Sequence, residues 1–311
     1  MSPSPAPPEA LLIVGHGTRE AAGVAGFNAL VARVAARTEV AVAGGFIELS
    51  APPLTEAASS LVAAGHHRVV AVPLVLVAAG HSKGDIPAAM LRETLRHPGL
   101  TYTYGRPLGV HPTVLRLLEE RLDAQVPPAE RADVAVLLVG RGTTDPDANA
   151  EVAKVCRLLW EGRGLAMVEP AFVSLARPSV PEGLERCRRL GATRIVVLPY
   201  FLFDGVLPQR VVSQAQAWAG EHPELEVRVA DLIGDCDGLA DVVLERYAEA
   251  AAGPVAINCD TCLYRVALPG FEARLGAPQT PHHHPDDAGH HHHDAGPEHH
   301  HDDADQHHHS H

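Results

Sequence analysis

The chain has 311 residues, 46% of them hydrophobic, which is enough apolar material for about two domains with a core each. Its formal net charge of −13 is unevenly spread: residues 282–311 carry seven acidic side chains and no Lys or Arg, and subtracting those seven from −13 leaves −6 for the rest. An acidic chain argues against a nucleic-acid partner, which requires basic patches to neutralise phosphates.

Residues 1–9 read as a flexible N-terminus with neither a basic nor an apolar signal region, and the longest apolar run, Val69 to Gly80, is too short to cross a bilayer. Five cysteines do not form a disulfide framework, so a cytoplasmic protein with no membrane contact is expected. Apolar, β-branched runs at 11–15, 40–47 and 68–77 read as buried parallel strands, separated by helix-length amphipathic stretches at 20–37, 53–64 and 84–97. Tyr102 to Gly105 suggests a fourth strand, and Pro112 opens a helix with Leu115, Leu118 and Leu122 on one face. A first α/β domain over 10–124 then gives way to a polar, proline-bearing linker at 125–132, and a second α/β domain follows over 133–252. Beyond it come a Cys-x-x-Cys extension at 253–277 and a His- and Asp-rich tail at 278–311, where no apolar pattern survives and disorder is expected.

The two domains are copies. Leu11 to Thr18 (LLIVGHGT) returns as Leu137 to Thr143 (LLVGRGT), and Phe46, Pro52, Gly65, Arg68 and Pro73 return as Phe172, Pro178, Gly191, Arg194 and Pro199. Gly109, Glu120 and Arg121 match Gly234, Glu245 and Arg246. The chemistry-bearing residues do not repeat. His16 lies between two glycines just past the first strand, His81 follows the third, and Glu48 follows the second, so parallel topology brings all three to the carboxyl rim of one sheet, where ligands bind. In the second copy Arg141 replaces His16, Ser174 replaces Glu48, and no His stands near Val206. Two imidazoles and a carboxylate suit a first-row divalent ion rather than Mg²⁺ or Ca²⁺.

The motifs Val14-Gly-His-Gly-Thr18, Gly45-Phe-Ile-Glu48, Val72-Pro-Leu74 with Ala79-Gly-His81, and Leu108-Gly-Val-His-Pro112 carry a resemblance over residues 10–275. The chain resembles the class II tetrapyrrole chelatases, in particular the long, two-domain CbiX-type sirohydrochlorin chelatases. That resemblance implies two tandem α/β domains, each a parallel sheet flanked by helices, with the active-site cleft between them. It also implies ATP-independent insertion of Co²⁺ or Fe²⁺ into sirohydrochlorin, for cobalamin or sirohaem synthesis, with His16, Glu48 and His81 as metal-binding and catalytic residues. A polycarboxylate macrocycle needs cations and donors at the rim of its cleft, for which Arg141 is the first candidate. Thr143, Thr144, Arg19, Lys83 and Arg177 follow it.

Cys259 and Cys262 form a lone Cys-x-x-Cys pair, a thiol site that in similar long chelatases accompanies an iron-sulfur centre, although no second pair completes four thiolates here. Fourteen of the 21 histidines lie in the tail, interleaved with Asp, Gly and Pro, and such tracts gather divalent metals loosely. The competing reading is therefore a metal store or metallochaperone that uses this tail and performs no tetrapyrrole chemistry. A hydrolase is disfavoured by the lack of a Gly-x-Ser-x-Gly elbow, and no phosphate-cradling loop is present.

Overall fold

A computed structural model of the protein describes residues 9–253 and 272–274. Cys259, Cys262 and the His-rich tail lie outside the described residues. The first half runs β1 (Ala10–Gly15), α1 (Ala21–Ala35), β2 (Val42–Phe46), α2 (Leu54–Ala63), β3 (Arg68–Pro73), α3 (Ile86–Arg96), β4 (Thr101–Tyr104) and α4 (Pro112–Asp123). The second half repeats it as β5 (Val134–Gly140), α5 (Pro146–Trp160), β6 (Met167–Phe172), α6 (Val180–Arg189), β7 (Arg194–Pro199), α7 (Val206–Glu221), β8 (Glu226–Val229) and α8 (Asp237–Ala252). Each half forms a four-stranded all-parallel sheet, ordered β2-β1-β3-β4 and β6-β5-β7-β8, as expected from the alternating strand and helix patterns.

Alternate residues of the central strands feed opposite faces, because side chains alternate across a strand. Leu12, Val14, Val69 and Ala71 pack with α2 and α3 residues in an outer core, and Leu137, Val139, Ile195 and Val197 do the same with α6 and α7. Leu11, Ile13, Val70, Val72, Val136, Leu138, Val196 and Leu198 face inward to one central core that both sheets share. Among the described residues no helix is long and apolar enough to cross a membrane.

Two expectations need correction. The third strand ends at Pro73, not at 77: its last rung is Leu74 N–H to the Val14 carbonyl, at 2.8 Å, where β1 itself runs out. Leu74 and Leu76 then bury themselves in the central core. Within the linker, Pro128–Asp133 forms a 3₁₀ turn whose Arg131 is buried and held by Glu119 and Asp123. Finally, the halves of the sequence are not the packing units. α4 lies against α5 and β7 of the second half, while α8 lies against α1, β3 and β4 of the first, so each half lends its last helix to the other sheet.

The exchange explains the repeated Glu-Arg pair. Arg121 donates through Nε to the Leu232 carbonyl at 2.8 Å and through Nη2 to that of Ile233 at 2.7 Å. Arg246 donates through Nε to Pro107 at 3.0 Å and through Nη2 to Leu108 at 2.8 Å. Each arginine grips the segment that corresponds to the one gripping its twin, which is the reciprocity of a two-fold interface written into one chain.

Candidate metal site and facing arginine

Beyond β1 and β2 the ladder continues into the loops, with Ile47 N–H donating to the Gly15 carbonyl at 2.9 Å and Glu48 N–H to that of His16 at 3.1 Å. His16 and Glu48 are thereby set side by side. Gly17 has φ +103°, and a Cβ there would lie 1.8 Å from the Glu48 carbonyl oxygen, so only glycine permits this approach. His16 places Nδ1 3.2 Å from the Gly17 carbonyl and Nε2 3.4 Å from Glu48 Oε1.

His81 opens a π-turn at His81–Asp85 that leads into α3, an irregularity frequent at functional sites. One turn on, Asp85 Oδ2 lies 2.7 Å from His81 Nδ1, which fixes the ring and assigns its proton to Nδ1. The His16 and His81 rings meet edge to face, with centroids 4.4 Å apart. One ligand atom from each of His16, Glu48 and His81 falls within 4.8 Å of the other two. Side-chain exposure is 26% for His16, 43% for Glu48 and 15% for His81, so the imidazoles form the floor and the carboxylate the open edge. Two imidazoles and a carboxylate are a donor set suited to a first-row divalent ion, and three donors would leave coordination positions open to a second ligand.

The second half supplies the opposite wall. Ser174 N–H donates to the Arg141 carbonyl at 2.9 Å, repeating the Glu48–His16 rung, and Gly142, with φ +83°, would place a Cβ 1.9 Å from the Ser174 carbonyl oxygen. Arg141 is half-buried; desolvation pulls its guanidinium below the ordinary arginine value, and the nearby Glu48 carboxylate opposes that shift. The guanidinium still carries its charge near neutral pH, beside the metal cluster.

The remaining expected substrate contacts fare differently. Arg19 and Thr144 are exposed on the loops that follow His16 and Arg141. Thr143 is used by its own loop: its N–H donates to Asn149 Oδ1 at 3.1 Å, and its hydroxyl accepts from Asp145 N–H at 3.2 Å. Arg177 is exposed and paired with Glu182. Lys83 does not reach for a substrate carboxylate, because Asp145 and Asp147 of the second half already engage its ammonium at 2.7 and 3.0 Å. Sequence reasoning missed Asp85, whose four-residue spacing from His81 at a helix start was the available signal. It also missed Asp145 and Asp147, which lie too far along the chain for any local pattern. Cys156 and Cys187 are buried, and burial pushes both thiols up to about 12, so they are inert packing residues.

A duplicated α/β unit with a His-His-carboxylate cluster in one copy, and a guanidinium of the other copy within charge interaction of that carboxylate, is an arrangement suited to a metal and an anionic partner together. The CbiX family description matches residues 10–125 and again 135–250, and the chain belongs to that family. It is 38% identical over 264 residues to the sirohydrochlorin cobaltochelatase of Priestia megaterium, covering 84% of this chain and 86% of that protein. The sirohydrochlorin ferrochelatase of the same organism is 30% identical over 237 residues, covering 76% and 88%. Among solved structures, SirB from Bacillus subtilis with Fe³⁺ superposes with a TM-score of 0.69 at 29% identity, over 79% of this chain and 96% of that one.

Proposed function

We propose that this protein inserts a divalent metal into sirohydrochlorin without ATP, and that cobalt is its physiological metal. The observation that carries the reading is the His16–Glu48–His81 cluster with the Arg141 guanidinium of the second half close enough to Glu48 for their charges to interact: one lobe holds the ion, and the other presents a cation to the acidic rim of the macrocycle. His16 and His81 hold the ion through neutral imidazoles while the ring approaches from the open side. Two pyrrole protons leave as the nitrogens take over the metal: Glu48, the most exposed of the three, accepts one, and an imidazole released from the ion accepts the other. Arg141 orients the ring by gripping a carboxylate, with Arg19 and Thr144 at the rim. A metal store would need neither the facing arginine nor an open coordination side.

Cobalt is preferred over iron because the cobaltochelatase relative is 38% identical and the ferrochelatase relative 30%. The His-rich tail is read as a gatherer of metal for this site, and Cys259 with Cys262 as a cluster or thiol site. The test is anaerobic incubation of the protein with sirohydrochlorin and either Co²⁺ or Fe²⁺, followed by absorbance. Both ions are inserted in vitro, and deleting the gene impairs corrin synthesis rather than creating a requirement for reduced sulfur. A sulfur requirement with intact corrin synthesis assigns iron instead.

A further inference from the structure

Two residues beyond His81, on the same π-turn, Lys83 crosses to the second lobe. Its Nζ lies 2.7 Å from Asp145 Oδ2 and 3.0 Å from Asp147 Oδ2, and the three side chains are only 6%, 5% and 9% exposed. Asp145 is also the N-cap of α5, accepting from Asp147 N–H at 3.1 Å, and sits four residues past Arg141. On the other flank of the turn, Ala78 N–H points at Glu151 Oε2 of α5 at 3.4 Å, and from behind Tyr104 donates its hydroxyl to the Ser82 carbonyl at 2.7 Å. The turn is therefore held by its own sheet through Tyr104 and by the other lobe through Lys83.

Burying one ammonium between two carboxylates is a poor way to gain stability, since the desolvation cost rivals the attraction and apolar side chains of similar volume do as well. One repeat away, Lys83 corresponds to Pro208, which carries no charge, and there the lobes approach through backbone: a Cβ on Gly23 would lie 2.2 Å from the Asp204 carbonyl oxygen. The buried Lys83 contact lies on the side that carries His81.

We propose that Lys83 is a positioning residue of the metal site: by fastening the His81 turn to Asp145 and Asp147, it makes the geometry of the metal-holding imidazole depend on the second lobe. The inference rests on the metal-insertion reading for its kinetic consequence, but not for its effect on the bound ion.

The experiment is Co²⁺ titration of the full chain without tetrapyrrole, with the His81→Ala chain as background for metal bound elsewhere, alongside insertion kinetics. Lys83→Met weakens the His81-dependent Co²⁺ binding by about tenfold or more, the scale set by outer partners of metal ligands. The KM for Co²⁺ rises in parallel, whereas kcat and the KM for sirohydrochlorin change by less than about threefold. Because Lys83→Met leaves two buried carboxylates without their cation, the triple variant Lys83→Met, Asp145→Asn, Asp147→Asn is measured beside it. It keeps an N-cap side chain, removes all three charges and folds, and it shows the same Co²⁺ loss. A folded triple variant that binds Co²⁺ like the parent overturns the inference. If the parent shows His81-dependent Co²⁺ binding but no insertion, the functional reading fails and the titration still decides the role of Lys83.

Discussion

The loop at Gly15–Thr18 and its twin at Gly140–Thr143 share a backbone and differ in purpose. Both carry a second glycine at positive φ that lets the carbonyl of residue 48 or 174 come within contact, and both make the same rung from that residue back to the strand end. Yet one loop presents His16 to a carboxylate and a second imidazole, and the other presents Arg141. Since an identical backbone accepts either side chain, the choice of histidine on one side and arginine on the other is chemical rather than structural. On the proposed function, the duplicated chain gives its two copies of the loop separate tasks, one for the ion and one for the ring.

The sharpest way to break that comparison is to remove the imidazoles. His16→Ala or His81→Ala lowers metal insertion by more than about a hundredfold, while far-UV circular dichroism and the thermal midpoint stay at parent values, because neither side chain belongs to a hydrophobic core. Arg141→His does not rescue His16→Ala, since it places an imidazole on the ring-facing wall. Near-normal rates in both single variants, followed as absorbance of the metallated product, would sever these residues from the chemistry. Arg141→Met acts on the other substrate: the KM for sirohydrochlorin rises by about 10- to 100-fold, as expected when a charge-assisted contact of roughly 1.5–3 kcal/mol is lost, and the KM for Co²⁺ stays within about twofold.

The reciprocal arginines extend the comparison to stability. Arg246 is buried and also pairs with Glu249, whereas Arg121 is half-buried, so the two-fold likeness of their hydrogen bonds hides unequal burial. Urea unfolding of Arg246→Met shows a loss of about 3 kcal/mol, and Arg121→Met a loss of about 1–2 kcal/mol. Equal losses would mean that the carbonyl grips alone decide the effect. A smaller change follows from Glu151, whose carboxyl burial raises above the ordinary glutamate value. A raised folded-state pKa favours the fold below the unfolded value and costs stability once the pH exceeds the folded one. Glu151→Gln therefore leaves the thermal midpoint unchanged near pH 4 and raises it at pH 8; a midpoint lowered at pH 8 would show that Glu151 is needed as an anion.

Much of this arrangement was legible in the sequence. Strands rich in β-branched residues announced the parallel sheets, and the rule that ligands gather where such strands end put His16, Glu48 and His81 on one rim before any coordinates. The uneven repeat then separated fold from chemistry. What stayed hidden depended on contacts between distant segments. Nothing near Lys83 signals that Asp145, 62 residues on, will claim its ammonium, so it read as a surface cation open to substrate. Leu115, Leu118 and Leu122 mark an apolar face of α4 in the sequence, and Leu117 is buried with the last two, but periodicity cannot say which sheet that face covers, and the exchange of α4 with α8 went unseen. The third strand was read too long because Leu74 and Leu76 are as apolar as strand residues while serving the central core.

The most direct test of the division between the two walls is to locate the ion itself. Crystals of the Co²⁺-loaded protein, measured at the cobalt absorption edge, should give an anomalous peak coordinated by His16, His81 and Glu48, at about 2.0–2.2 Å from the donor atoms, with Arg141 outside the coordination sphere. An ordered cobalt ion elsewhere in residues 9–253 while those three side chains stay unliganded, in a preparation that still metallates sirohydrochlorin, would contradict the account.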